Sequence, residues 1–514
     1  MAEKTRKEKS IKNFCFGMIF LAIRIIFFFI IRTTVIFDLG LEAFSVGSVF
    51  HEIIALLALS ELGIGSAIVF HLYKPLAVED YETVGKLLAL YRKVFYTLAV
   101  FILLVGLALM PFVPKFVNNV TSLSPEYLRL LFFICITCSA ASYINSYQVT
   151  LLNADQKSFV YSVAESICFT VFTTLIIISA KVTKSYMMHT ALCGIQTYCT
   201  NLICAIYVKK NYPEIRYDKE LSREEKKELI VDIKNICGKK ICGFIKSSTD
   251  GILISTLVDT LKVGLYNNYK SLYSLVYKLT SVIFRSTNGS IGNLMATEDN
   301  EKCISLVYKM TFMYFFIGSI FCNVFICSVD TVIHFWLGVS FKLDITSVVA
   351  SVWLVFLDVT KTSVCQFLEA SGLFKADRNI SVIGAVINLV LSIILGIYWG
   401  IAGIIGASCI SSLYELILKG KTLFNDRFCK SSKQFIYYVL KLLLCYTAQF
   451  SLCFLFCCLR HNGYDVTDIC IKIGMSLFVA PFFILVFYRK TEEYLYLYHM
   501  INGAINSMRR NIKG

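Results

Sequence analysis

The sequence predicts an all-α membrane protein with about fourteen transmembrane helices, and three observations support this class. Of the 514 residues, 57% are hydrophobic and only 17% are charged, whereas soluble domains are about 45–50% apolar and about 25% charged. Mean hydropathy is +0.67. Apolar runs of roughly 20 residues recur along the chain, and each can cross a hydrocarbon core about 30 Å thick. Disordered, fibrous and water-soluble globular classes are therefore excluded.

The apolar runs give the order of the spans. Two of them, at 238–260 and 265–294, are more polar than the rest. The first run is long and contains arginines, so we expect a membrane span there and not a cleaved signal peptide. We place the spans at 13–36, 44–72, 88–112, 127–151, 158–180, 185–208, 238–260, 265–294, 304–328, 346–370, 379–398, 402–418, 436–459 and 468–488.

The distribution of lysine and arginine predicts the orientation. These residues concentrate in cytoplasmic loops of membrane proteins. The strongly basic segments at 1–12, 209–240, 419–433 and 489–514 all fall on one side if all fourteen spans are real. We therefore predict a multi-pass protein with both termini in the cytoplasm. The formal net charge of +15 then indicates orientation, and nucleic acid is not an expected partner.

The basic loop at 209–240 also divides the spans into six and eight. The dipeptide Val-Gly at 46–47 recurs at 263–264, a separation of 217 positions, and Tyr91 and Tyr308 open the following spans at the same separation. Such repeats are common in transporters, with substrate sites between them. We predict an N-lobe at 1–208 (spans 1–6), a basic cytoplasmic loop at 209–237, a C-lobe at 238–420 (spans 7–12), spans 13 and 14 within 421–488, and a cytoplasmic tail at 489–514.

No soluble catalytic apparatus is visible in the sequence. The 20 cysteines lie mostly inside apolar runs, where free cysteine behaves as a small hydrophobe. No Walker loop is present, so we do not expect the chain itself to use ATP. We expect no catalytic residue, no metal site and no cofactor.

Cations inside the spans are the candidate site residues. A charge near the middle of a span costs about 2.5–3.5 kcal/mol, so it usually faces a cavity or a partner. Arg24 and Arg32 of span one are separated by about 80° around a helix, and Lys270, Lys278 and Arg285 of span eight are confined to a similar arc. These five cations predict a water-filled cavity between the lobes for an anionic substrate, such as a diphosphate that arginine grips bidentately. Snorkelling to the outer interface is the alternative for Lys270 and Arg32.

Several other charged residues have open interpretations. Glu61 lies opposite Lys278 in the repeat register and could form a structural ion pair with it. Lys246 and Asp250 are spaced i, i+4 and could neutralise each other. Glu52 could belong to a proton or sodium site, or could form an interhelical bond. The following residues are ambiguous: His51, Glu165, Asp358, Lys361 and Glu369.

Short motifs in order along the chain resemble a known family. The stretch ALSELGIGSA at 58–67, LYKPLA at 72–77 and YRK at 91–93 are similar to the signature of bacterial Wzx-type polysaccharide flippases of the multidrug/oligosaccharidyl-lipid/polysaccharide (MOP) exporter superfamily. The resemblance covers about 10–425, and the last two spans match by topology only. Further matches are YP at 212–213, STDGILIS at 248–255, VGLYNNY at 263–269, SIGNL at 290–294, NLVLSIILG at 388–396 and GIAGIIG at 400–406.

The resemblance implies an inner-membrane flippase that moves undecaprenyl-diphosphate-linked oligosaccharide from the cytoplasmic to the outer leaflet by alternating access. The pathway would be capsule, exopolysaccharide or O-antigen-type biosynthesis. It implies two pseudo-symmetric six-helix lobes around a central cavity plus two C-terminal helices. Arg24, Arg32 and the span-eight cations would bind the diphosphate-sugar headgroup, while the polyprenyl tail stays in membrane lipid. A polysaccharide polymerase and glycosyltransferases are further candidate partners.

The chain departs from the family pattern at one position, because Gly251 follows Asp250 where the family often has an Asn-like residue. Two alternative functions stay open. A multidrug or cation antiporter of the same superfamily would need carboxylates in its cavity, and the cationic excess on spans one and eight argues against it. A polytopic glycosyltransferase would need a larger polar outer loop than the sequence shows.

Overall fold

The structure is a computed structural model in which contacts divide the chain into two compact units, residues 1–264 and 265–514. The part of the chain that contains described residues has helices and connecting turns and no strand. This confirms the predicted all-α class. The structure describes residues 24, 27–58, 71–73, 75–76, 78–120, 122–155, 157–217, 221–224, 248–285, 291, 294–295, 298–459, 466–500 and 502.

The helices of the first unit overlap the predicted spans, although parts of the spans at 13–36, 44–72 and 238–260 lie outside the described residues. Asp80 caps the helix Tyr81–Leu109 by accepting a 3.0 Å hydrogen bond from the Thr83 N–H. Such a bond is a common way to satisfy a free backbone donor at the start of a helix. Two further helical stretches, at 27–39 and at 248–257, carry no number. The labelled helices are α1 (Leu41–Leu57), α2 (Tyr81–Leu109, continued by a 3₁₀ turn at Met110–Phe116), α3 (Pro125–Ser142), α4 (Ser146–Ala154), α5 (Ser158–Thr183) and α6 (Tyr186–Asn211).

The predicted span at 127–151 is bent. Helices α3 and α4 meet at an angle of 41°. Between them Asn145 has a left-handed backbone, with φ of 64°, a conformation that asparagine tolerates better than most residues. One predicted span therefore consists of two short helices.

The first unit continues beyond the basic loop. Ser255, in the helical stretch 248–257, donates a 2.6 Å hydrogen bond to the Phe116 carbonyl. The Thr260 hydroxyl accepts one from the Asn118 N–H at 2.7 Å. The sequence places the lobe boundary in the loop at 209–237, of which part lies outside the described residues, whereas the compact unit extends to residue 264. The predicted lobes themselves stay a prediction.

The second unit contains the longest helices of the described part of the chain. Asp344 caps α9 through a 2.9 Å hydrogen bond from the Ser347 N–H. In its core the Phe356 ring of α9 stacks on the Tyr446 ring of α11 with centroids 3.6 Å apart. The helices are α7 (Thr260–Arg285, whose first turn belongs to the first unit), α8 (Asn300–Leu337), α9 (Ile345–Ala370), α10 (Phe374–Thr422), α11 (Lys433–Leu459) and α12 (Val466–Tyr488).

Helix α10 is two antiparallel helices joined at Gly400. The backbone there has φ of 57° and ψ of −134°, which is accessible to glycine and strained for other residues. Asn388 donates to the Ser408 hydroxyl at 2.8 Å, and Ser411 donates to the Gly384 carbonyl at 2.8 Å. Each bond joins a residue before Gly400 to one after it, and the pair farther from Gly400 on one side is also farther on the other, as in antiparallel helices. The predicted spans 379–398 and 402–418 are therefore the two arms of a hairpin.

The surface composition suits a membrane. Eight helices of the described chain are long and apolar enough to cross one, or up to nine if the bent pair α3–α4 forms one span; α10 is counted once. Large apolar side chains are exposed on their outer faces, such as Leu444 at 72% and Phe478 at 76%. Exposed apolar faces of this length are expected in lipid and are unfavourable in water.

Candidate functional site

Arg24 of the first predicted span pairs with a carboxylate. Its guanidinium Nη1 lies 3.7 Å from Glu165 Oε1 on α5, and the two side chains are 56% and 17% exposed. This distance exceeds the 2.7–2.9 Å of a strong charge-assisted hydrogen bond. The ambiguous Glu165 therefore has a neighbour of opposite charge, and half of the arginine side chain stays accessible to an anion.

Arg32 is held by aromatic rings. Its guanidinium carbon lies 4.4 Å from the centroid of Phe44 on α1 and 5.5 Å from that of Phe28. Cation–π contacts of this kind stabilise a cation in an apolar setting. A guanidinium stacked on a ring keeps its in-plane N–H groups directed sideways, where a phosphate could accept them.

Of the three cations of span eight, only Lys270 has a side chain among the described ones. Lys270 lies on α7 with its ammonium 5.7 Å from the centroid of the buried Tyr266 ring. Lys278 and Arg285 belong to the same helix, but their side chains lie outside the described part of the structure. The three described cations thus have neighbours of their own, namely Glu165, Phe44 and Tyr266. Their convergence on one substrate stays a prediction.

Glu52 and Asp250 are buried carboxylates of the first unit. They are 7% and 4% exposed. A Cβ at position 251 would meet the Glu52 carboxylate, so α1 approaches the stretch 248–257 closely at this glycine. Lys246 and Glu61 lie outside the described residues, and the ion pairs predicted for them stay predictions.

The second unit contains a buried ionic network that joins α9 to both arms of α10. Lys419 lies 2.9 Å from Asp377 Oδ1 and 3.1 Å from Glu415 Oε2. Lys361 lies 2.8 Å from Asp358 Oδ1 and 3.4 Å from the same Glu415 oxygen. Glu415 therefore bridges two lysines. The side chains of Lys419 and Asp377 are 2% and 1% exposed.

The network has three carboxylates and two ammonium groups. Ser412 adds a donor, because its hydroxyl donates a 2.8 Å hydrogen bond to Asp358 Oδ1. Buried charges are expensive unless they are paired and hydrogen-bonded. Among the described residues no group of three or more His, Cys, Asp or Glu side chains could hold a metal ion. We interpret the network as a brace between helices.

One sequence interpretation was wrong here. Lys419 was counted with the basic loop at 419–433, but α10 extends to Thr422 and buries it. Sequence reasoning singled out Asp358 and Lys361 and missed Asp377 and Glu415. The available signal was the i, i+4 spacing of Glu415 and Lys419, which places both on one helix face.

A second buried pair connects α12 to α8. Lys472 lies 2.6 Å from Asp468 Oδ2, with side chains only 5% and 4% exposed. The lysine also donates a 3.1 Å hydrogen bond to the Thr331 hydroxyl. The bond from Lys472 to Thr331 fixes α12, which is the last predicted span, against α8.

The fold and these charged helices define a class: polytopic all-α membrane proteins that keep cations and ion pairs among apolar helices. Comparison with family models and with curated proteins finds no match. Solved structures do match. MurJ, a lipid II flippase in an inward closed conformation, gives a TM-score of 0.62 at 16% identity, covering 90% of this chain and 98% of that one.

Multidrug transporters match as well. A multidrug resistance MATE family transporter of the MOP superfamily, in an inward-facing conformation, gives a TM-score of 0.62 at 12% identity and covers 81% of this chain and 94% of that one. A MATE transporter of Vibrio cholerae gives 0.56 at 9% identity, with coverage of 84% and 99%. The chain therefore has the fold that these flippase and MATE structures share.

Proposed function

We propose that the chain is a membrane transporter that flips polyprenyl-diphosphate-linked oligosaccharide repeat units between leaflets by alternating access. The observation that carries the proposal is Arg32, a cation held between Phe28 and Phe44 in an apolar helix of a fold that a lipid II flippase shares over 90% of this chain. A diphosphate headgroup needs cations to leave water, and its polyprenyl tail needs lipid. Cations inside a membrane-spanning fold meet both needs.

Arg24 supplies a second contact in this proposal. Its guanidinium lies 3.7 Å from Glu165, so that carboxylate competes with a phosphate oxygen for the same arginine. Removing the competing carboxylate should therefore favour substrate. We expect Glu165→Gln to bind the diphosphate more tightly than wild type, and Arg24→Gln to bind it more weakly.

The test is reconstitution of the full chain in phosphatidylcholine vesicles that contain a fluorescent polyprenyl-diphosphate oligosaccharide. A membrane-impermeant lectin added outside reports sugars that reach the outer leaflet. A hydrogen bond to a charged group contributes about 1.5–3 kcal/mol, so Arg32→Gln should slow flipping roughly 10- to 100-fold. The matched control is Arg223→Gln, because Arg223 is exposed. Equal rates for Arg32→Gln and wild type would show that this cation does not bind the substrate.

A cation antiporter is the second candidate, favoured by the buried carboxylates Glu52 and Asp250 and by the MATE structures that share the fold. Such a protein would lower ethidium accumulation in a sensitised host. The flippase proposal predicts no effect of the chain on ethidium. If the chain lowers ethidium accumulation and Glu52→Gln abolishes this effect, the antiporter replaces the flippase as the function of the chain.

The proposed location is the bacterial inner membrane, with both termini in the cytoplasm and a polysaccharide polymerase and glycosyltransferases as working partners. The basic segments described above support this orientation. Reporter fusions at both ends test it, because a cytoplasmic fluorescent protein should fluoresce at each terminus and a periplasmic phosphatase should be inactive at each.

A further inference from the structure

Three cysteines lie together where α8 packs against α11 in the second unit. Cys453 and Cys457 are four residues apart on α11, which places both on one face of that helix. Cys327 lies opposite them on α8, and its thiol is 3.9 Å from the Cys453 carbonyl oxygen. The Cys327 thiol also interacts with the thiols of both α11 cysteines. All three are free thiols, and the proposed transport does not use them.

The register of the two helices fixes this contact. Asn323 donates a 3.3 Å hydrogen bond to Gln449 Oε1, and Cys327 contacts Cys453 one turn later on both helices. Both contacts join residues 126 positions apart, so α8 and α11 run parallel and in register. In an α-helix the carbonyl of residue 453 points toward residue 457. The Cys327 thiol therefore lies beside the turn that joins Cys453 to Cys457.

The three cysteines differ in access. Cys327 and Cys453 are 3% and 0% exposed, whereas Cys457 is partly exposed and lies two residues before the end of α11 at Leu459. The proposed orientation places the carboxyl ends of α8 and α11 outside the cytoplasm, where disulfides persist in bacteria. Cys457 is therefore the thiol that an oxidant reaches, and Cys327 is the neighbour with which it can form a bond.

We propose that Cys327 and Cys457 are a redox-active pair that forms a disulfide and fastens α11 to α8. The oxidant is another disulfide. The Cys457 thiolate attacks one sulfur of that disulfide, forms a mixed disulfide and releases a first thiolate. The Cys327 thiolate then attacks the Cys457 sulfur and releases a second thiolate. The two cysteines lose two protons and two electrons, and the oxidant takes up both as two thiols.

The bond would act where α8 already holds the last helices of the chain. Thr331 lies one turn beyond Cys327 on the same face of α8 and accepts the 3.1 Å hydrogen bond from Lys472 of α12. A disulfide between α8 and α11 closes a long segment of the chain, which favours stabilisation by restricting the unfolded state. The proposal does not depend on the transported substrate, and it stands whether or not the chain is a flippase.

Oxidation of the detergent-purified full chain by oxidised glutathione tests the proposal. The remaining thiols are blocked with N-ethylmaleimide, the chain is digested without reductant, and linked peptides are identified by mass spectrometry. We expect the main linked pair to be Cys327 with Cys457, and we expect dithiothreitol to remove it. The disulfide should raise the Tm of the oxidised chain above that of the reduced chain by roughly 4–16 °C.

Cys457→Ser should lose both the linked peptide and the rise in Tm. The matched control is Cys458→Ser, because Cys458 is the next residue, is exposed and points to a different side of α11, and this variant should keep both. Oxidised wild type without a linkage between Cys327 and Cys457 would overturn the proposal, as would an unchanged Tm in chains that carry the linkage. An equal yield of linked Cys327 in Cys457→Ser, through Cys453, would also overturn it, since it would assign the disulfide to another pair.

Discussion

Replacing Lys419 by methionine removes one ammonium group from the ionic network of α9 and α10. Methionine keeps an unbranched, flexible chain of similar length, so the change is mainly one of charge. In the wild-type protein this ammonium lies 2.9 Å from Asp377 and 3.1 Å from Glu415, with the lysine side chain 2% exposed. The variant removes this ammonium group from two buried carboxylates, Asp377 and Glu415.

The expected loss follows from burial. Removing one partner of a buried ion pair typically costs about 3–5 kcal/mol, because the remaining charge keeps its desolvation penalty without compensation. Glu415 retains Lys361 at 3.4 Å, so we expect the lower end of that range, about 3 kcal/mol. For a unit of about 150–250 residues this corresponds to a decrease in Tm of roughly 6–12 °C.

Thermal unfolding of the purified full chain in detergent at neutral pH measures this decrease. Lys302→Met is the matched control, because Lys302 also forms a 2.8 Å pair with a glutamate but is 69% exposed, and we expect its Tm to be unchanged. Lys419→Met/Asp377→Asn should recover part of the loss, since it removes one of the unbalanced carboxylates. If the Lys419 and Lys302 variants shift the Tm equally, the network is not a stabilising brace.

Two further predictions concern helix ends and turns. Asp344→Ala should destabilise the protein by about 0.5–2 kcal/mol through loss of the α9 cap, measured by denaturant unfolding. Burial raises the pKa of Asp344, but hydrogen bonds from Thr346 and Ser347 outweigh burial and hold the pKa below its usual value. The charged cap therefore contributes fully to stability above the ordinary aspartate pKa of about 3.9. The difference in free energy of unfolding between wild type and Asp344→Ala should become smaller as pH falls below that value. A difference that does not change with pH would contradict this. Gly400→Ala forces a Cβ into a backbone conformation with φ of 57° and ψ of −134° and should cost about 1–3 kcal/mol. Gly406→Ala meets no atom within 4 Å and should not destabilise the protein in the same measurement, because alanine favours a helix interior over glycine.

The fold was predictable because lipid imposes a simple rule on the chain. Each span must be apolar over a fixed length, so hydropathy alone located α5, α6 and α9 to within a few residues. The hairpin at Gly400 was also predictable, since a Trp-Gly pair interrupts two apolar runs. The bend at Asn145 was not, because no proline or glycine marks it and the left-handed backbone depends on tertiary contacts.

Some of the charged residues described above were visible in the sequence one by one, whereas Asp377 and Glu415 were missed and the contact of Arg24 with Glu165 was not predicted. Arg24 and Glu165 each stood out as charges in apolar spans, yet nothing in the sequence relates two positions so far apart. Lys419 was misinterpreted for a local reason. It follows a run of apolar residues, where a buried helix end and the start of a cytoplasmic loop have the same composition. Only the arrangement of α9 against α10 distinguishes these two environments.

The most direct test of the central claim is the flipping rate of wild-type protein in vesicles. Vesicles that contain the purified chain and a fluorescent polyprenyl-diphosphate oligosaccharide should expose inner-leaflet sugar to an external lectin, and protein-free vesicles should expose only the sugar that starts in the outer leaflet. A phospholipid with the same fluorophore and no diphosphate-sugar headgroup should not be flipped. Identical lectin accessibility with and without the protein would contradict the account.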